Sequence, residues 1–186
     1  MVEAGNVKTL KEWISSSSRV AIITHSNPDG DAIGSSLAMA LALSQRGIDA
    51  QVIIPDGLPD FLRWLPGIER STTFAYKKEK AIEIIEGADL IFCLDFNDPK
   101  RVGAVEEYLA KSKAHKVLID HHQDPMQFTD MAITETWRGS VGEMIYLLLK
   151  EVFEEEVLNK EIATCLYVAI MTDTGNFSYA SSYPEI

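Results

Sequence analysis

Basic residues are scarce in this chain: 17 Lys and Arg stand against 28 Asp and Glu, a formal charge of −11 at pH 7. Non-specific binding to nucleic acid depends on a basic surface, so the balance argues against that class of protein and leaves only a local basic groove. Cysteine is scarcer still. Cys93 and Cys165 lie far apart in apolar runs, which suits buried thiols in a reducing compartment better than a disulfide or a ligand pair. No apolar run reaches the length of a membrane span, and the mixture of Glu3, Lys8, Lys11 and Glu12 in residues 1–18 lacks the apolar core of a signal peptide. A cytoplasmic protein with no membrane partner is the default expectation. Eleven Gly and seven Pro in 186 residues are too few for a low-complexity chain, and 46% hydrophobic residues suffice for one sizeable core.

What is present is alternation. Short β-branched runs at 19–24, 50–54, 89–94 and 116–119 read as strands, and segments of helical period separate them. Ile33, Leu37, Ala40 and Leu41 share one helical face, with Gly47 where that helix should stop. Further helices are predicted over 77–86, 102–111, 140–153 and 160–171, the third opening with Ser140 and Glu143 at capping-box spacing. The pattern predicts an α/β fold, a mostly parallel sheet with helices on both faces. In such sheets ligands bind beyond the carboxyl ends of the strands.

Acid and histidine residues collect at those expected places. The first run leads into Thr24-His25-Ser26-Asn27-Pro28-Asp29-Gly30-Asp31, which reads equally as a polar turn with Asp31 capping the next helix. Asp95 follows Leu90–Leu94, and Asp98 before Pro99 looks like a turn residue. Val117-Leu118-Ile119 runs directly into Asp120-His121-His122, and consecutive histidines have no packing reason to stand at a strand end. Asp173 follows the apolar stretch 165–171, where it also suits a helix terminus. Together these groups form a histidine and carboxylate set suited to Mn²⁺, Mg²⁺ or Fe²⁺ and unlike the thiolate set of structural zinc. Several carboxylates crowded in one cleft repel unless cations compensate them. Two such ions activate water and stabilise displacement at phosphorus, so hydrolysis of a phosphoester or phosphoanhydride is the favoured chemistry.

With these motifs in this order from Thr24 to Phe177, the chain resembles the DHH phosphoesterases, named for the triplet that stands here as Asp120-His121-His122. That superfamily includes RecJ-like exonucleases, oligoribonucleases (nanoRNases) that also act on adenosine bisphosphate, cyclic-dinucleotide phosphodiesterases and manganese pyrophosphatases. The texture is closest to the oligoribonucleases. The resemblance implies two divalent cations, manganese first and magnesium second. His25 and Asp29 would hold one, Asp31, His121 and Asp173 the other, with Asp95 between them. It makes Asp120 the acid that orients a histidine, and turns His122 toward the scissile phosphate. The implied activity is hydrolysis of short oligonucleotides or nucleotide phosphates. A pyrophosphatase-like enzyme and a metal-binding domain without turnover are the alternatives, and a homodimer is left open. Members usually carry a second, smaller domain with a Gly-Gly-Gly-His segment and phosphate-holding arginines. No such segment precedes Ile186, so residues 1–186 are expected to be the catalytic domain alone, a fragment or shortened form.

Overall fold

Alternation within each strand decides how the sheet is covered. In β1 (Arg19–Ile23), Val20 and Ile22 enter one apolar cluster while Ala21 and Ile23 enter another, as the two-residue period of a strand requires when both faces are buried. The same division holds in β4 (Leu90–Leu94), where Leu90, Phe92 and Leu94 face one way and Ile91 and Cys93 the other. A computed structural model describes residues 4–153 and 157–179. It adds β2 (Asp49–Ile54), β3 (Ser71–Thr73), β5 (His115–Asp120) and β6 (Met131–Thr134) to form one sheet, ordered β3-β2-β1-β4-β5-β6, in which every pair is parallel. The mostly parallel α/β fold read from the sequence is therefore the one observed. Strand order reverses between β1 and β4, and at such a reversal the connecting loops diverge and leave a crevice at the carboxyl edge.

One face carries α1 (Ala4–Ser16), α2 (Gly30–Gln45), α5 (Val141–Phe153) and α6 (Lys160–Asp173). The other carries α3 (Lys78–Glu86) and α4 (Glu106–Lys111). Leu10 and Ile14 bury one stripe of α1, and each such side chain contributes roughly 1.5–3 kcal/mol when withdrawn from water. Helix α2 lies closest to α6. A Cβ on Gly34 would stand 2.5 Å from the Cys165 carbonyl, and one on Gly142 2.5 Å from Ala169 Cβ. Glycine thus lets α2, α5 and α6 approach more closely than a side chain would permit.

Several expectations need correction. The single helix expected over 102–111 is a 3₁₀ segment, Pro99–Val105, followed by α4, because Gly103 adopts φ 54° and ψ −129° and breaks the helical path. Helix α1 and the short edge strands β3 and β6 were not anticipated. Both cysteines are free and buried, as expected. Gly47 has φ 78° and closes the end of α2, and Ser140 Oγ accepts from the Glu143 amide at 3.1 Å in the expected cap of α5. No helix among the described residues is long and apolar enough to cross a membrane.

Candidate metal centre

The loop between β1 and α2, at the switch point, carries the first motif. His25 follows β1, and its Nδ1–H donates to the Ser26 carbonyl at 2.8 Å, which leaves the lone pair on Nε2. Asp29, and not Asp31, caps α2, accepting from the Ala32 amide at 3.0 Å. Asp31 instead reaches across to the start of α5, where its two oxygens accept from the Val141 and Gly142 amides at 2.6 and 2.7 Å. A Cβ on Gly142 would stand 3.3 Å from Asp31 Oδ1, so the bare glycine leaves room for that reach. Asp56, at the end of β2, accepts twice from the Asn27 amide at 2.8–2.9 Å and holds the loop after His25 in place.

Asp95 stands at the centre. It follows β4 in a left-handed conformation, φ 67°, which a non-glycine residue adopts only at a cost of about 1–3 kcal/mol. Its side chain is 3% exposed. Oδ2 lies 3.5 Å from His25 Nε2, and Oδ1 lies 3.7 Å from both His121 Nε2 and His122 Nδ1. Oδ1 has no hydrogen-bond partner among the described residues.

The triplet at the end of β5 divides its work. His121 Nδ1–H donates to the Arg138 carbonyl at 3.1 Å, so its Nε2 lone pair faces Asp173 Oδ2 at 3.3 Å as well as Asp95. His122 gives its Nδ1–H to Asp120 Oδ1 at 2.7 Å, while its Nε2 accepts from the Arg101 guanidinium at 3.0 Å. Those two contacts have opposite effects. The Asp120 hydrogen bond raises the His122 imidazole above its ordinary value, and burial and the Arg101 charge oppose the rise.

His25, Asp29 and Asp95 form one triad, and Asp31, His121 and Asp173 another; within each, one ligand atom per residue lies within 4.8 Å of the others. Asp95 with His121 and His122 makes a third such group, which joins the two. Asp173 is the last residue of α6, so this carboxylate comes from a helix end and not from a strand end. Every site residue read from the sequence thus lies in one crevice. Arg101, Asp56 and Arg138 were missed. Arg101 carried a signal in its place six residues after Asp95, whereas Arg138 acts through a backbone carbonyl that no sequence pattern marks.

The electrostatics fit cations. Burial, above all, pushes the Asp31 carboxyl well above the usual carboxylate range; Asp95 and Asp173 add to the rise, and the two amides of α5 oppose it. Burial does the same to Asp95, reinforced by Asp29, Asp173 and Asp120 and opposed by His122. Asp173 is raised by burial and by Asp29, and His121 opposes this. In two places an imidazole lone pair faces a carboxylate oxygen, an arrangement of two acceptors that is unfavourable without a proton or a cation between them. The donors are oxygens and imidazoles, suited to manganese or magnesium.

Known proteins are similar to this chain. The chain is 33% identical over 171 residues to the bifunctional oligoribonuclease and PAP phosphatase NrnA of Thermus thermophilus, covering 90% of this chain and 47% of that protein. It is 28% identical over 179 residues to the cyclic-di-AMP phosphodiesterase PdeA of Listeria monocytogenes, covering 92% of this chain and 27% of that protein. Among solved structures, an exopolyphosphatase-related protein from Bacteroides fragilis superposes with a TM-score of 0.95 at 34% identity, over 100% of this chain and 55% of the other. The chain therefore spans about half or less of the length of these relatives. Residues 19–170 match the DHH family, N-terminal domain, a span that takes in all six strands and all the motif residues except Asp173. The chain belongs to the DHH family.

Proposed function

We propose that this chain is the catalytic domain of a phosphoesterase that uses two divalent cations, manganese first and magnesium second, to hydrolyse phosphodiester or phosphomonoester bonds of short oligonucleotides or nucleotides. The observation that carries this reading is the position of Asp95, buried between two ligand triads with Oδ1 left without a hydrogen-bond partner among the described residues. His25 and Asp29 would hold one cation, Asp31, His121 and Asp173 the other, and Asp95 would contact both. When bound, the pair supplies an activated water and charge neutralisation for the phosphate under attack.

The remaining steps belong to side chains. The Ser26 and Arg138 carbonyls fix the rings of His25 and His121 so that both present Nε2 to the centre. Asp120 orients His122 through Nδ1 and favours its protonated form. Protonated His122 would turn an N–H toward the phosphate, stabilising developing charge or delivering a proton to the leaving oxygen. The named activities of the Thermus and Listeria relatives favour nucleotide substrates. We assign selection among such substrates to a second domain, and residues 1–186 to the catalytic one.

The test is calorimetric titration of the chain with Mn²⁺, followed by assays on bis-p-nitrophenyl phosphate, a diribonucleotide and adenosine bisphosphate. Two bound ions and manganese-dependent release of product are expected. Two bound ions with no turnover on any substrate would leave a metal-binding domain and refute the enzyme.

A further inference from the structure

Resting on that reading, we infer that Arg101 is the residue that holds the substrate's phosphate group beside His122. Three observations lead there. The crevice is open here: the His122 side chain is 34% exposed, against 6% for His25, 16% for His121 and 3% for Asp95, and Asp29 at the other end of the centre is exposed as well. Arg101 brings a permanent positive charge to this opening, with its guanidinium 3.0 Å from His122 Nε2. Among the described residues no carboxylate forms an ion pair with it, although five aspartates line the same crevice. A guanidinium has five N–H donors in a planar fork that matches two phosphate oxygens. One donor meets His122, and the others remain for a ligand.

The chain holds Arg101 there by means that do not involve its side chain. Asp98 caps the 3₁₀ segment, with Oδ1 accepting from the Lys100 amide at 2.8 Å. The Arg101 carbonyl accepts from the Ser26 amide at 2.7 Å, fastening this segment to the loop that carries His25. Gly103, at φ 54°, lets the backbone pass Ser26, whose Oγ would stand 3.3 Å from an added Cβ. Because those ties run through the backbone, replacing the side chain removes the guanidinium and leaves the link to the metal loop.

While His122 is neutral, with its Nδ1–H given to Asp120, its Nε2 presents only a lone pair, and a phosphate oxygen is likewise an acceptor. The Arg101 guanidinium lying between them gives one N–H to each and converts that repulsion into two hydrogen bonds. The ligand class is a tetrahedral oxyanion, the phosphate of an ester or free phosphate as product.

The experiment compares wild type, Arg101→Ala and Arg101→Lys, each loaded with Mn²⁺, by titration with inorganic phosphate and by bis-p-nitrophenyl phosphate kinetics. Phosphate affinity should fall about 10- to 100-fold in Arg101→Ala, the worth of a hydrogen bond to a charged group. Arg101→Lys should recover part of it, and manganese affinity should not change in either. The loss should appear in KM and in product inhibition more than in the proton-dependent part of kcat. Unchanged phosphate affinity in Arg101→Ala, or a wild type that binds no phosphate, would overturn the inference. An equal collapse of manganese affinity would make Arg101 a structural element of the metal loop and overturn it too. Failure of the phosphoesterase reading looks different: the wild type binds phosphate but does not turn over.

Discussion

Asp95 and Asp29 both offer a carboxylate to the centre, yet they differ in everything else that holds them. Asp95 is buried and belongs both to the triad of His25 and Asp29 and to the group with His121 and His122, so under the proposed two-ion reading Asp95→Asn should weaken both ions and lower turnover by no less than the roughly 10- to 100-fold that loss of a ligand's partner costs. Asp29 also caps α2, and removing that cap outright costs about 0.5–2 kcal/mol. Asp29→Ser keeps a capping oxygen, so it should weaken one ion only, with little change in melting temperature; calorimetry with Mn²⁺ reads both variants. Asp120→Asn, with the acid buried and bonded to His122, should lower kcat while leaving manganese affinity within about tenfold. A matching loss of manganese would mean that Asp120 is itself a ligand. The sequence showed all of these acids, because side chains that have no packing purpose at a strand end stand out. It could not show that Asp31 answers to the amides of α5, 110 residues away. Nor could it show that His121 and His122 face different partners, since neighbouring residues differ there only in the direction of a ring.

Among the elements, the central strands β1, β2, β4 and β5 were legible to within about a residue, because each contains a short run of buried apolar residues. The edge strands were not. Ser-Thr-Thr in β3 and the half-buried Met131–Thr134 in β6 owe their conformation to pairing with a neighbour, which is tertiary context. Helix α1 escaped notice since only its short stripe of Val7, Leu10 and Ile14 distinguishes it from a polar leader. The helix pair α2 and α6 carries a sharper consequence. Gly34→Ala would press a methyl group against the Cys165 carbonyl, and overpacking of that kind costs about 1–3 kcal/mol. The helices must part, and they carry Asp31 and Asp173. Thermal unfolding should show the loss of stability, and the ion proposed for Asp31, His121 and Asp173 should weaken more than the one proposed for His25 and Asp29. Equal weakening of both would show that the crevice moves as one body.

The whole molecule stores charge repulsion at one edge of its sheet. Asp31, Asp95 and Asp173 are all raised in the folded state, chiefly by burial, and unfolding returns them to about 4. Between those values the folded chain binds more protons than the unfolded one, so stability falls as pH rises. The raised His122 acts in the same direction. Metal-free protein should therefore melt at higher temperature near pH 5 than near pH 8, and saturating Mn²⁺ should reverse that order. Melting curves in chelator and in manganese test it, and a metal-free protein more stable at pH 8 would contradict the burial of these acids. The crevice also imposes an order of events during synthesis. Its first member is His25 and its last Asp173, 148 residues later by their numbers. At the usual pace of roughly 5–20 residues per second, about 7–30 s separate their appearance on the ribosome. The early strands can pair in that interval, but their acids stay uncompensated until α6 is made, so a cation bound as proposed would act as a clasp between the first-made and the last-made members of the crevice.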